Sequence, residues 1–159
     1  MKYIVYNIDA RCRRIFSCGG CFALAVLFKN LKQLGEQVYL SHRAHDPPSL
    51  IPYQEEDFLE NHNFNLDDCT AIYPEVIEGN PLNAGRVVRW LLHYPGYFGN
   101  PQQTWNKETD LFFSYQDWIA KKSKDMGYRI DGSLTVTHFN HDIFKDEGQS
   151  RSGSCFFHK

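Results

Sequence analysis

Apolar and polar positions recur with two different periods along this chain, and the changes of period divide it into elements. Residues 2–8, "KYIVYNI", are β-branched and aromatic, and a polar, basic stretch, "DARCRRIFS", follows them, which predicts a strand running into a loop. Across 20–34 the apolar residues Phe22, Leu24, Val26, Leu27, Phe28, Leu31 and Leu34 fall at helical spacing, and Gly35 stands where a helix stop is expected. "QVYLS", 37–41, then reads as a short buried strand, so the chain opens with a predicted β-α-β unit whose parallel pairing needs a right-handed crossover.

Further on the signals are more mixed. "HDPPSLIPYQEEDFLENHNF" carries three prolines and reads as a loop with one short helix at 55–61. "CTAIYPEV" predicts a third strand. "NPLNAGRVVRWLLHYPG" begins with turn residues, sets Val87, Val88, Leu91 and Leu92 on one face and stops at Pro95-Gly96, which predicts a second helix. "TDLFFSY" and "SLTVTHF" read as strands four and five, with "DWIAKKSKDMG" between them too short and too charged for a long crossover helix. "GSCFFHK" at the end reads as a further strand or the start of a linker. The alternation of strands and helices predicts one α/β domain over 1–159, a Rossmann-like three-layer α/β/α sandwich with a mostly parallel sheet.

Composition narrows the function. A chain of 159 residues is long enough to bury a core without disulfides or metals. Its net charge of −2, with both signs interspersed, leaves no broad basic face and so excludes nucleic acid as the expected partner. The longest apolar run, 21–28, falls far short of the roughly 20 residues of a spanning helix. Asn7 and Asp9 interrupt the N-terminus before a signal-peptide core forms, and five cysteines without framework spacing suit a reducing compartment. The expectation is a cytoplasmic protein that calls for no cofactor and no metal.

In an open parallel sheet, ligands bind beyond the carboxyl ends of the strands, where loops enter helices. That rule selects Asp9, Arg11 and the loop from Ser17 to Gly20 after strand one, and Glu75, Asn80 and Asn83 after strand three. It also selects Tyr115, Gln116 and Asp117 after strand four, and His138 and Asn140 after strand five. Gly19 and Gly20 open the first helix, where a ligand can approach backbone N–H groups and the positive end of the helix dipole. Two readings of them stay open, a ligand loop or a tight turn. Cys18-Gly-Gly-Cys21 stands between a strand and a helix, the placement of a thiol redox pair, yet Cys21 leads into an apolar helix face where buried cysteine is common. His42 and His45 fall in a turn-rich loop, and His138 and His141 flank a strand end where one imidazole would suit acid–base chemistry near neutral pH. No nucleophile elbow, dinucleotide fingerprint or P-loop is present in the sequence.

Three stretches carry a resemblance. "GGCFALAVLFKNLKQLGEQVYL", "IYPEVIEGNPLNAGRVVRWLLHYPG" and "LTVTHFNHDIF" are similar, in this order, to segments of the N-terminal half of bacterial-type glycosyltransferases of the GT-B architecture. The resemblance implies sugar transfer from a nucleotide-sugar donor to a carbohydrate acceptor in a cleft between two Rossmann-like domains. This chain corresponds to the acceptor-side domain alone, so the donor-binding part would be a C-terminal domain or partner chain. By position the resemblance assigns Gly19 and Gly20 the loop role and makes Glu75, Asn80, Asn83 and Arg86 acceptor or donor contacts, while Arg89 and Trp90 would be structural. His138 joins the candidates as a substrate-binding residue, and no catalytic residue is assigned. Two other classes are weighed against this one: a non-catalytic α/β domain binding carbohydrate or protein, and a thiol oxidoreductase using Cys18 and Cys21.

Overall fold

The computed structural model describes residues 1–7, 19–42, 53–137, 148 and 150. Six strands, β1 (Lys2–Val5), β2 (Gln37–Leu40), β3 (Cys69–Pro74), β4 (Arg86–Leu91), β5 (Leu111–Ser114) and β6 (Gly132–Ser133), form one sheet in the order β2-β1-β3-β4-β5-β6. Every neighbouring pair is parallel. Two helices, α1 (Gly19–Gln33) and α2 (Asp117–Asp125), pack on opposite faces, giving the three-layer α/β/α arrangement expected from the sequence.

The order follows from handedness. α1 carries the chain from β1 to β2 across one face, setting Ala23, Leu24, Leu27 and Phe28 against Val5, Leu40, Ile72 and Val88. Each of these side chains larger than Ala23 contributes about 1.5–3 kcal/mol on full burial. The later crossovers step the other way along the sheet, so right-handed connection puts them on the opposite face. There Ile119 of α2 and Trp105 pack with Leu91 and Phe112, and Ile77, Leu82 and Ala84 from the β3–β4 link lie against Ala71, Tyr73 and Val87.

Both helices stop by the same device. Gly35 and Gly127 each take φ of +82°, and in each case the next residue donates back to the carbonyl five before it, Glu36 to Leu31 at 3.1 Å and Tyr128 to Ser123 at 3.0 Å. These are paired backbone bonds of a glycine-terminated helix end, which satisfy carbonyls the helix leaves open.

The structure corrects the expected helix after "NPLNAG". Residues Arg86–Leu91 are a strand, in register with β3 and β5. Its residues from Val87 to Leu91 are all buried, because helices or loops cover both faces. A strand buried on both faces reads as a continuous apolar run, which periodicity does not separate from a helix. Two other elements differ in extent. The predicted short helix at 55–61 is two one-turn 3₁₀ helices, Glu55–Asp57 and Leu59–Asn61. Of the described part of the fifth predicted strand, 133–137, only Ser133 belongs to a regular strand, β6, which begins at Gly132. Beyond it, the carbonyls of Leu134 and Val136 accept from side chains, Trp90 Nε1–H at 2.7 Å and Tyr115 O–H at 3.0 Å. The expected terminal strand "GSCFFHK" lies outside the described residues. Among the described residues no helix is long and apolar enough to cross a membrane.

Candidate functional site

Between β1 and β3 the connections part to opposite faces of the sheet, and that divergence opens a crevice at the carboxyl edge. A cavity of about 500 Å³ occupies it. Gly19, Gly20 and Ala23 of α1 form one wall, and Pro74, Glu75 and Val76 follow β3 along another. Leu92 and His93 leave β4, and Tyr115 leaves β5. Phe98, from the turn beyond, also lines it. The walls are mostly apolar, with a few convergent polar groups, as small-molecule sites are.

Glu75 is the ionisable group set deepest in this wall, with its side chain almost wholly buried. Leu92 N–H donates to its Oε2 at 3.0 Å. Burial pushes its carboxyl up to about 7, against the opposing pull of backbone N–H bonds from Glu75 itself, Leu92 and His93. A carboxyl balanced between its two forms at neutral pH, inside a crevice, is suited to exchanging a proton with a ligand. No cationic side chain forms an ion pair with it in the described residues.

His93 is held in place by its neighbours. Tyr94 N–H donates to its Nδ1 at 3.0 Å, which leaves Nε2 to carry the proton in the neutral ring. Its ring stacks on Tyr97 at 3.6 Å between centroids and meets Phe98 and Trp118 edge-on. Burial and the nearby Lys122 ammonium hold its pKa below the usual imidazole value, so the neutral ring prevails at pH 7. Tyr115, which also lines the cavity, donates its hydroxyl to the Val136 carbonyl at 3.0 Å.

The geometry brings together only some of the residues picked out in the sequence. Gly19, Gly20, Glu75 and Tyr115 share the cavity. Asn80, Asn83 and Arg86 do not line it, because the link after Glu75 leaves the carboxyl edge and runs back to the start of β4. Asn80 shapes that link: its Oδ1 accepts from Tyr73 O–H at 2.8 Å and Ala84 N–H at 3.1 Å, and its Nδ2 donates to Ala84 O at 2.8 Å. Asn83 takes the left-handed conformation at φ +51°. Arg86 begins β4 at the amino edge of the sheet and donates to Thr70 Oγ1 at 3.3 Å. Asn80 and Arg86 instead border a smaller polar cavity of about 260 Å³, beside the buried Arg89–Asp110 pair. Trp90 is enclosed in the core.

Asp9, Arg11, Cys18, His45, His138, Asn140 and His141 lie outside the described residues. Cys21 is buried on α1. His93, Leu92 and Phe98 were not among the sequence candidates, since Leu92 and His93 lie within the segment read as a helix and Phe98 just beyond its stop. Had 86–91 been taken as a strand, the rule of carboxyl ends would have selected positions 92 and 93.

Fold and site together define an α/β protein of parallel-sheet type with a crevice at the strand switch point. No protein-family model, curated protein or solved structure matches this chain.

Proposed function

We propose that this chain is the acceptor-side domain of a glycosyltransferase, and that the carboxyl-edge cavity receives the acceptor hydroxyl. The observation that carries the reading is Glu75, a buried carboxyl with pKa about 7 facing a cavity opposite the glycine start of α1. The motif resemblance and the crevice position support it together. In this reading the Glu75 carboxylate takes the proton from the attacking hydroxyl, and the acceptor oxygen forms a bond to the anomeric carbon. The bond from that carbon to the nucleotide phosphate oxygen breaks, and the nucleotide leaves with the electron pair. Gly19 and Gly20 leave room for the approach. The donor is held by a further domain or partner chain, as the resemblance implies.

The test is sugar transfer from a panel of nucleotide-sugars by the protein and its Glu75→Gln variant, each assayed together with the domain or partner chain that holds the donor. Transfer should fall about 10²–10⁴-fold in the variant, the usual worth of a positioned base, with acceptor binding retained and the acidic limb of the pH profile gone. Acceptor binding without transfer under any donor would favour a non-catalytic carbohydrate-binding domain. A full rate in Glu75→Gln would remove Glu75 from the chemistry.

A further inference from the structure

Outside the cavity mouth lies a feature that proton transfer does not need. Among the large hydrophobic residues exposed on the described surface, Tyr97, Phe98 and Trp118 are 52%, 66% and 48% exposed and belong to one cluster. Tyr97 rests one face on His93 and meets Phe98 edge-on at 4.6 Å, while Trp118 stands edge-on to both His93 and Tyr94. The rings are held in orientation. Trp118 Nε1–H donates to Gln116 Oε1, and Lys122 lies 4.3 Å from the Tyr94 ring centre. The turn that presents Tyr97 and Phe98 is bounded by Gly96 and Gly99, both at positive φ.

The patch is continuous with the cavity, since His93 and Phe98 belong to both. Its exposed large side chains among the described residues are all aromatic, and Tyr97 and Trp118 carry polar atoms at their ring edges while Phe98 offers a wholly apolar face. Such a surface suits a ligand whose flat side is lined by C–H groups and whose rim carries hydroxyls: the hydrogens meet the negative ring faces, and the hydroxyls stay in water. A pyranose has that form. We infer that Tyr97, Phe98 and Trp118 form a second sugar subsite, so that the acceptor is an oligosaccharide with one residue in the Glu75 cavity and the next stacked on this platform. The inference rests on the acceptor reading of the cavity and adds the length of its ligand.

Trp118 supplies its own probe, because Trp90 and Trp105 are buried at 0% and 6% exposure. Emission of the full chain would be followed during titration with glucose and N-acetylglucosamine, then cellotriose, maltotriose and chitotriose, then uridine and adenosine. The same ligands would be titrated calorimetrically. At least one trisaccharide should shift Trp118 emission, shield it from acrylamide and bind about tenfold or more tighter than its monosaccharide, the scale of a stacked ring. Tyr97→Ala and Trp118→Ala alter exposed side chains that do not line the cavity. Each should erase that length preference, read calorimetrically, while leaving monosaccharide affinity unchanged. Monosaccharide binding with no gain from length would overturn the second subsite and leave the acceptor cavity standing. Absence of binding by every sugar would overturn both. A Trp118 response to nucleosides alone would assign the platform to a base and overturn the inference.

Discussion

Arg89 is a cation placed in the middle of a buried strand and bonded on several sides. Its Nε donates to Asp110 Oδ2 at 2.8 Å, and its terminal nitrogens donate to the carbonyls of Ile77 and Gly79. The guanidinium also lies about 5 Å from the ring centres of Tyr73 and Trp105. It therefore ties the β3–β4 link to the segment before β5. Removing one member leaves the other charge buried and unpaired, at a cost of about 3–5 kcal/mol, whereas removing both avoids that orphan. Urea unfolding should show Arg89→Met and Asp110→Asn each destabilised on that scale, and the double variant less destabilised than the sum of the two. Additive losses would mean that the pair does not act as a unit. None of this is visible along the chain, because Asp110 lies 21 positions from Arg89 and is one of many acidic residues in polar surroundings. Glu75 is similar: its position after a strand was legible, but its altered acidity comes from packing supplied by other segments.

Element by element, local signals succeeded where one face of a segment meets the core. The spacing over 20–34 predicted α1 to within a residue, and Gly35 marked its end correctly. The same glycine signal stands at Gly127 and marks the end of α2, whose segment was read as too short and too charged for a long crossover helix and forms a helix of nine residues. β4 failed because both of its faces are covered. Its entry depends on a contact that sequence does not reveal. A Cβ on Gly85 would stand 1.9 Å from the Asp67 carbonyl oxygen, and Gly85 N–H donates to Leu66 O at 3.0 Å. The obstacle is backbone, so it does not swing aside. Gly85→Ala should lose about 1–3 kcal/mol or more, the usual range for forced overpacking. Thermal unfolding measures it, and an unchanged melting temperature would show that the turn before β4 yields.

At the scale of the whole molecule, the pH dependence of stability carries the mark of the cavity. Glu75 has a folded pKa of about 7 against an ordinary value of 4.5, so the folded state holds this proton more tightly than the unfolded one. Its effect is absent below the unfolded value, grows as an unfavourable term while pH rises through the interval, and is constant above the folded value. Glu75→Gln should therefore be no more stable than the parent at pH 4 and more stable by about 3 kcal/mol at pH 8. Denaturant titrations of both proteins across that range provide the measurement. Equal stability at pH 8 would mean that the carboxyl is not destabilised in its place. A site that strains the fold in the form it uses is a common consequence of function.

The sequence by itself determined the α/β class, β1, α1, β2 and β3, the helix stop at Gly35, and the candidacy of Gly19, Gly20, Glu75 and Tyr115. Those features depend on spacing within one element or on the general rule for strand ends, and such information is local. Tertiary structure alone decided that 86–91 is a strand and that Asn80, Asn83 and Arg86 belong elsewhere. It also decided that His93 and Phe98 line the same cavity as Glu75, beside Tyr97 and Trp118. These depend on which distant segments cover each face and take water from each group, and that is settled only when the sheet is assembled.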